Sequence, residues 1–498
     1  LGDAERLRPI DDEERLGRYP AGGARSYGVG GSTSGPTGAA NMKAAKSVPM
    51  ELVLGMGLGL VCGVTLRSAL QRDIDPFTEK KKAPAPKVTI AKAVSADEKS
   101  DVDKFDAWVA AQKAASGPDD KDTADFKYIT FTEMPPFHAG HKSLMSKVLT
   151  PELFEKYKEI KSTKGFTFSN AIQCGVLKPH LGVGFTAGDE ECFEIFKDMI
   201  YPIVKGWHKF DPYTQDHASD LNPMNVTFTR EQQIKFDQYV QSTRVRAARN
   251  ISGFALPCGA TPPERKGVED VLQEAFAMFD GELKGKYYSL GSMSATDEEM
   301  LQSSGFLFQK PGPAQLLAVA GAARNWPDNR GIFHNDNKTA LAWCNEEDHC
   351  RIISMQSGGD VWSVFSRFCQ ISDTIAAAAK KNGAKLMEHP KLGFLGTCPS
   401  NLGTGLRASV MIKIPELNKD PHALEAVCDA FDLQPRGSSG EHSAAVGGKW
   451  DISNKQRLGF TEVELVQKMI DGVAKIIAIE EKLETGKTLD QAVKEAKY

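Results

Sequence analysis

The 498-residue sequence lacks the short motifs that mark the commonest phosphate, metal and disulfide sites. It has no GxxxxGK[ST] phosphate loop, and the HRD and DFG signatures of protein kinases are also missing. Its nine cysteines form no CxxC pair, which argues against a zinc site and against a small disulfide scaffold. Any nucleotide chemistry must therefore use another scaffold, and reduced thiols are the simpler interpretation of the cysteines.

The sequence also has little net charge. Lys and Arg residues number 61 against 65 Asp and Glu residues, so the field of the whole chain predicts no nucleic-acid partner. The apolar fraction of 41% can supply sizeable cores, and the length is sufficient for two or three domains. The function must therefore be sought in local groups of residues.

The region before residue 141 differs in composition from the rest of the chain. Residues 1–47 are rich in Gly, Ser, Pro, Arg and acidic groups, and they predict an extended arm. Residues 71–140 include a Lys/Pro-rich stretch and predict a linker, with one short helix around residues 102–115. The start at Leu1 fits removal of a targeting presequence and fits a truncated sequence equally well.

Residues 48–70 predict a single transmembrane helix around an apolar run at 52–66. The run is short, because a membrane helix needs about 20 residues. Gly55, Gly59 and Gly63 recur every fourth residue and would line one helix face, where another membrane-protein subunit could approach closely. A buried soluble helix is the alternative, although several glycines would cost such a helix roughly 1 kcal/mol each. We expect this helix to lie in the mitochondrial inner membrane, and the sequence does not decide on which side of the membrane the rest of the chain lies.

The remaining sequence predicts an α+β fold. Residues 141–222 are mostly helical in pattern, and Thr150-Pro151 begins one helix with a Thr N-cap and Pro at N1. In residues 223–498, runs rich in Ile, Val and Phe alternate with helical segments. We therefore expect a small all-α N-terminal domain and a larger α/β domain whose antiparallel sheet carries the site.

Several arginine-bearing segments lie in the C-terminal half. Arg244 and Arg246 have the spacing of a strand, which places both on one face of a sheet. Planar, permanently charged groups that converge could neutralise a triphosphate and a transferring phosphoryl group. An isolated pair of this kind is more often a solvated surface. The arginines concerned are Arg244, Arg246, Arg351, Arg407, Arg436 and Arg457.

Two further segments contain reactive side chains. Residues 345–349 (NEEDH) place adjacent carboxylates close in sequence to Arg351. A carboxylate can bind a guanidinium group or order the water shell of Mg²⁺, although an acidic run alone is more often an exposed turn. Residues 398–405 hold Cys398 beside a hydroxyl and several backbone donors, which can stabilise a thiolate. A lone cysteine is usually a small core residue instead.

Together these segments resemble the phosphagen (guanidino) kinase family over residues 141–483. The resemblance implies reversible phosphoryl transfer between Mg-ATP and a guanidino compound, with Mg-ADP as the other form of the nucleotide. The protein would act by alignment and charge neutralisation rather than by covalent chemistry. The similar segments, in family-like order and spacing, are residues 147–153, 187–191, 330–338, 345–349, 398–404 and 451–455.

The resemblance also implies roles for single residues. Glu347 would pair with the substrate guanidinium, Glu346 would order hydrated Mg²⁺ that has no direct protein ligand, and Cys398 would be a reactive thiolate. Residues 436–448 resemble a mobile loop that closes over the substrates, and its Glu441 would contact the acceptor. The residues implied to bind the nucleotide are Arg244, Arg246, His334, Arg351, Arg407 and Arg436.

The resemblance favours arginine as the guanidino substrate. Residues 175–186 resemble the short specificity loop of arginine kinases rather than the longer loop of creatine kinases, and Glu441 also matches the arginine kinases. Backbone donors at Gly182 and Val183 could hold a substrate carboxylate. Three positions depart from the arginine-kinase pattern, namely Leu181, Thr186 and Met411.

Two classes of function stay open at this point. An active, membrane-anchored kinase is favoured by the retained arginines, carboxylates and cysteine. A kinase fold kept as an accessory or structural subunit of a mitochondrial membrane complex is favoured by the arm and the glycine-striped helix. A creatine or taurocyamine kinase would differ from the first reading only in its substrate.

Overall fold

A computed structural model describes residues 96–437 and 447–496. The extended arm at 1–47, the transmembrane helix at 48–70 and the substrate contact of Glu441 all lie outside the described residues. Among the helices of the two described ranges, none is long and apolar enough to cross a membrane.

The N-terminal part of the fold is helical, as predicted. Thr150 caps one helix by accepting a hydrogen bond from Leu153 N at 3.3 Å, and Pro151 occupies its first position. A capping box of Thr167 and Asn170 begins the next helix. The helices are α1 Ala96–Ala115, α2 Leu144–Val148, α3 Pro151–Tyr157, α4 Phe168–Leu177, α5 Cys192–Ile195 and α6 Lys197–His208.

Part of the predicted linker belongs to this helical region. Helix α1 contains the short helix expected at 102–115 and begins earlier, and its Phe105 lies in the same core as Tyr128 and Phe131. The extended segment after α1 is held by the core, since Phe131 N donates to Ser169 Oγ at 3.0 Å. The linker interpretation is therefore wrong for residues 96–131. These apolar side chains are too widely spaced to form a periodic pattern.

An antiparallel sheet of eight strands forms the second part of the fold, in the order β2-β3-β4-β5-β1-β8-β10-β9. This arrangement confirms the predicted fold class. The strands are β1 Val240–Arg249, β2 Gly285–Ser289, β3 Gly331–Asn335, β4 Ala340–Cys344, β5 Cys350–Ser357, β8 Arg407–Lys413, β9 Leu433–Gly437 and β10 Lys449–Asn454. Two short strands, β6 Glu388–His389 and β7 Gly393–Phe394, pair with each other.

Helices cover one face of the sheet and leave the other face to the site. Val245 and Ala247 of the central strand β1 are buried in the core that also contains residues of these helices. Because side chains alternate along a strand, Arg244 and Arg246 lie on the opposite face. The remaining helices are α7 Arg230–Tyr239, α8 Pro262–Ala277, α9 Ala295–Ser303, α10 Leu316–Val319, α11 Val361–Lys381, α12 Pro421–Ala430, α13 Glu462–Glu484 and α14 Leu489–Glu495.

Candidate active site

The uncovered face of the sheet carries a cavity of about 1050 Å³ that is lined by four arginines. Arg244 and Arg246 come from β1, Arg407 from β8 and Arg436 from β9. Arg246 and Arg407 lie directly opposite each other in the strand register, a placement that is unfavourable for like charges. The convergence that sequence spacing could not show is thus present for four of the predicted arginines.

The arginine cluster is electrostatically strained. The pKa of Arg246 is lowered to about 8, mainly by burial and also by the charges of Arg244 and Arg407. Burial also lowers the pKa of Arg407 to about 10, although Asp451 opposes this effect. Since an arginine stays charged in proteins, these shifts describe a cationic cluster that a polyanion would stabilise.

Asp451 on β10 fixes the orientation of two of these arginines. Arg407 Nη2 donates to Asp451 Oδ2 at 3.1 Å, and Arg244 Nη2 is 3.5 Å from the same oxygen. Arg407 Nε also donates to Ser453 Oγ at 3.1 Å. Arg407 and Arg244 are therefore oriented by the protein itself.

Met411 and His334 lie differently with respect to this cavity. Met411 lines the cavity beside the arginines, where its thioether could pack against a flat ring. His334, which the resemblance assigns to the nucleotide, does not line the cavity. It is buried on β3, with its ring stacked on Tyr288 at 5.1 Å between ring centroids and its Nδ1 2.9 Å from Asn335 O.

A second cavity, of about 830 Å³, adjoins the first. The two cavities share Arg246, Arg407 and Arg436 as lining residues. Trp207 and His208, from the C-terminal end of α6, also line the second cavity, so the helical region and the sheet both contribute to it. Two ligands that occupy the cavities together would meet at the shared arginines.

The loop between β4 and β5 brings carboxylates to the second cavity. Asn345 begins this loop with a φ of 54°, a left-handed conformation that asparagine tolerates. Its Nδ2 donates to Arg265 O at 2.9 Å and to Asn329 O at 2.8 Å, which holds the loop against the protein. The result is a fixed loop that places Glu347 in the cavity wall.

Glu347 is surrounded by partners of both signs. Arg351 Nη2 donates to Glu347 Oε2 at 2.8 Å and lies 3.3 Å from Glu346 Oε2. The pKa of Glu347 is raised to about 7, mainly by burial and also by the charges of Asp348 and Glu346, against the lowering effect of Arg351. A carboxylate that titrates near neutral pH in a cavity is typical of a functional group.

Arg351, which the resemblance assigns to the nucleotide, lies beside carboxylates in this structure. It lines the second cavity and is held there by Glu346 and Glu347, whereas the other predicted nucleotide arginines line the first. Its guanidinium carbon lies 5.3 Å from the centroid of the Trp343 ring. In this conformation Arg351 pairs with carboxylates rather than with the other arginines.

Cys398 lies behind the second cavity. Its Sγ is 3.1 Å from Ser400 Oγ, and the side chain is buried. The pKa of the thiol is raised to about 11, mainly by burial and also by the charge of Glu347, while hydrogen bonds from Ser400 oppose the increase. This conformation therefore favours the thiol form over the expected thiolate, because the sulfur is buried and the charges acting on it are those of carboxylates.

The predicted specificity loop borders the second cavity without lining it. A Cβ atom at Gly182 would lie 2.9 Å from the ring of Trp207, which does line the cavity. The carbonyls of Gly182 and Val183 accept hydrogen bonds from Leu144 N at 2.8 Å and Met145 N at 3.0 Å. Thr186 is fully buried, so in this conformation it does not present a side chain to a ligand.

Two site residues, Asp451 and Asn401, were not predicted by sequence reasoning. Asp451 lines the first cavity and contacts Arg407, and Asn401 lines the second cavity and contacts Glu347 and Arg457. Both lie in segments that resemble the family, but their contacts join residues tens of positions apart. Motif membership was the only signal available for them.

In the part of the site that the structure describes, the side chains form no cage for a metal ion. Within residues 96–437 and 447–496, no group of three or more His, Cys, Asp or Glu side chains is placed to hold one. Glu346 Oε2 accepts a hydrogen bond from Glu347 N at 2.8 Å. This donor set fits Mg²⁺ that is bound by phosphate oxygens and water, which is a common mode for this ion.

Comparisons with known proteins agree with this geometry. The family model "ATP:guanido phosphotransferase, C-terminal catalytic domain" matches residues 267–483, and the model of the corresponding N-terminal domain matches residues 139–205. The testis isozyme of creatine kinase from Oncorhynchus mykiss is 46% identical over 360 residues, which cover 71% of this chain and 92% of that protein.

Solved structures give the same picture. A crystal structure of lombricine kinase has a TM-score of 0.68 and 42% identity, and the match covers 71% of this chain and 96% of that one. The duplicated taurocyamine kinase from Schistosoma mansoni, with bound transition state analog components, has a TM-score of 0.62 and 36% identity. That match covers 68% of this chain and 46% of the duplicated chain.

Proposed function

The chain belongs to the ATP:guanidino phosphotransferase family, the phosphagen kinases, and from this premise we propose that it is an arginine kinase whose two substrates meet between the cavities. It is an enzyme that transfers a phosphoryl group from Mg-ATP to a guanidino compound, leaving Mg-ADP, and in the reverse direction from the phosphorylated guanidino compound to Mg-ADP. The observation that carries the site assignment is the sharing of Arg246, Arg407 and Arg436 by both cavities. A phosphoryl group in transfer is neutralised at that junction.

In this proposal the nucleotide occupies the larger cavity. Arg244, Arg246, Arg407 and Arg436 bind its phosphates, and the base packs near Met411. Mg²⁺ supplies further neutralisation of the phosphates when it is bound with the nucleotide. The depressed pKa of Arg246 supports this assignment, because the phosphates would relieve the repulsion among the arginines.

The guanidino acceptor occupies the smaller cavity, where Glu347 aligns its nitrogen. Arg351 now donates to Glu347 Oε2, and a substrate guanidinium presents the same planar set of donors. The substrate displaces Arg351 from this carboxylate, and Arg351 then turns toward the phosphates. The positive charge of the bound substrate guanidinium, next to Cys398, favours the thiolate form of this cysteine.

The role of Glu347 is tested by the variant Glu347→Gln. We expect kcat to fall roughly 10²-fold or more, on the scale of lost alignment and electrostatic stabilisation. Glu274→Gln, an exposed position on α8, serves as the matched control and is expected to retain full turnover. Near-normal turnover of Glu347→Gln would remove this residue from the mechanism.

The choice of arginine rests on the length of the specificity loop at 175–186. A short loop leaves room for a larger acceptor, and N–H groups at Gly182 and Val183 are suited to bind its carboxylate. Because Thr186 is buried, it cannot replace the substrate-contacting tyrosine of arginine kinases. Selectivity then depends on the loop backbone and on Glu441.

A coupled assay with ATP tests this choice across arginine, creatine, taurocyamine and lombricine. We expect kcat/KM to be highest for arginine. A higher value for any competitor would overturn the substrate assignment alone. Inactivity with the whole panel would count against the proposed acceptor site.

We also propose that residues 48–70 anchor the enzyme in a membrane, expected to be the mitochondrial inner membrane. The support is the apolar run at 52–66 and the stripe of Gly55, Gly59 and Gly63, which would contact another subunit. Alkaline carbonate extraction is the test, and release of the full-length protein into the supernatant would refute the anchor. If Gly59→Leu left co-purification of every partner unchanged, the packing face would be refuted.

A further inference from the structure

Asn401 connects the carboxylate of Glu347, which is proposed to align the substrate, to Arg457, which the proposed mechanism does not use. Asn401 Nδ2 donates to Glu347 Oε1 at 3.1 Å, and Asn401 Oδ1 accepts from Arg457 Nη1 at 2.7 Å. The same Arg457 nitrogen donates to Ser400 O at 2.9 Å. Asn401 thus stands between a carboxylate and a guanidinium group, with one end of its amide on each.

The chemistry of these partners fixes the direction of the Asn401 amide. A guanidinium group can only donate, so the amide oxygen must face Arg457. The amide nitrogen must therefore face Glu347, whose ionised carboxylate can only accept. A flipped amide would lose both hydrogen bonds, so Arg457 determines which group Asn401 offers to Glu347.

Asn401 holds the Glu347 oxygen that Arg351 does not hold. Arg351 donates to Oε2 and Asn401 donates to Oε1, while Thr397 Oγ1 donates to the main-chain carbonyl of Glu347 at 2.6 Å. When the substrate displaces Arg351, the bond to Oε1 remains and keeps the carboxylate plane in place. Because the amide is neutral, it orients the carboxylate without competing with the substrate guanidinium as a second cation.

We propose that Asn401, oriented by Arg457, is a positioning residue that aligns the Glu347 carboxylate and favours its ionised form. The inference rests on the role proposed above for Glu347. A hydrogen bond to the charged form of an acid lowers its pKa. Loss of the Asn401 donor therefore raises the pH above which Glu347 is ionised.

The test compares Asn401→Ala with Asn401→Asp in the full-length enzyme. The Asp variant keeps an oxygen for Arg457 but removes the donor and adds a negative charge beside Glu347. We expect the acidic limb of the pH profile of kcat/KM to move upward by about one pH unit in Asn401→Ala and further in Asn401→Asp. We also expect kcat at pH 7 to fall by about 10-fold or more.

Asn225→Asp is the matched control, because Asn225 Nδ2 also donates to a carboxylate, Asp220 Oδ2, at 2.8 Å and lies outside both cavities. Its pH profile is expected to match that of the unmodified enzyme. Thermal unfolding of every variant checks that the fold is retained, and Asn401→Ala alone carries the test if Asn401→Asp does not fold.

A second measurement separates this proposal from its premise. In a Glu347→Gln background, Asn401→Ala is expected to change kcat by less than about 2-fold, because the two residues act as one unit. An inactive Glu347→Gln together with an unshifted acidic limb in the Asn401 variants overturns the positioning role only. An active Glu347→Gln overturns the role of Glu347, and this proposal with it.

Discussion

Replacement of Glu462 by glutamine is expected to lower the free energy of unfolding by about 3 kcal/mol. Glu462 and Arg249 form an ion pair in which both side chains are fully buried, with Arg249 Nη2 3.2 Å from Glu462 Oε1. Removal of one partner leaves an uncompensated buried charge, at a cost of about 3–5 kcal/mol. The lower value applies here because Gln can still accept hydrogen bonds from Ser219 Oγ and Asp220 N.

The rest of the Arg249 environment makes relaxation difficult. Arg249 Nη1 donates to Ala248 O at 2.8 Å and to Thr404 O at 2.9 Å, and the guanidinium carbon lies 3.6 Å from the centroid of the Phe394 ring. These contacts hold the side chain away from solvent. The orphaned charge therefore cannot simply turn into water.

Urea unfolding, followed by both tryptophan fluorescence and far-ultraviolet circular dichroism, measures the effect. Two probes are needed because a chain with two hydrophobic cores need not unfold in one step. The control Asp270→Asn breaks an exposed pair with Lys266 and should change the stability by less than about 0.5 kcal/mol. A cost below about 1 kcal/mol for Glu462→Gln would contradict the reasoning.

Three further predictions concern Glu347 and Gly393. The value of kcat/KM should fall as the pH drops below about 7, because Glu347 must be ionised to bind the guanidinium; a flat profile from pH 6 to 8 would contradict this. Since burial raises the pKa of this acid in the folded protein, its ionised form destabilises the fold at high pH. Without ligands, the Glu347→Gln variant should therefore be more stable than the unmodified enzyme above pH 7. Below the pKa of Glu347 in the unfolded chain, the two proteins should differ little in stability. Gly393 has a φ of 65°, and a Cβ atom at this position would lie 2.6 Å from Gly403 Cα. Gly393→Ala should therefore lower the free energy of unfolding by more than the control Gly253→Ala, where the φ is 87° but the space around a Cβ atom is open. Equal losses in urea titrations would show that the contact is irrelevant.

Local pattern predicted those parts of the fold that depend on neighbours in sequence. The spacing of Arg244 and Arg246 was sufficient to place both on one face of a strand, and Thr150-Pro151 was sufficient to begin α3. The region around Phe105 and Tyr128 was misread as a linker, because Phe105 reaches the core from α1 and Tyr128 reaches the same core from the extended segment after it. Such burial depends on distant residues and leaves no period to detect.

The site was predicted as a set of residue types but not as an electrostatic arrangement. Motif resemblance singled out Glu347 and Cys398, yet the raised pKa values of both come mainly from burial. The contact between Asn401 and Arg457 joins residues that are 56 positions apart. Spacing within a motif carries no information on such contacts, so the internal order of the site had to come from the structure.

The arginines shared by the two cavities tie together the binding equilibria of the two ligands. A nucleotide that neutralises Arg246, Arg407 and Arg436 removes repulsion against a cationic acceptor in the neighbouring cavity. Each ligand should therefore increase the affinity for the other. Thermodynamic linkage requires the factor to be the same in both directions, so the synergy seen by titrating the acceptor onto the nucleotide complex must equal that seen in the reverse titration.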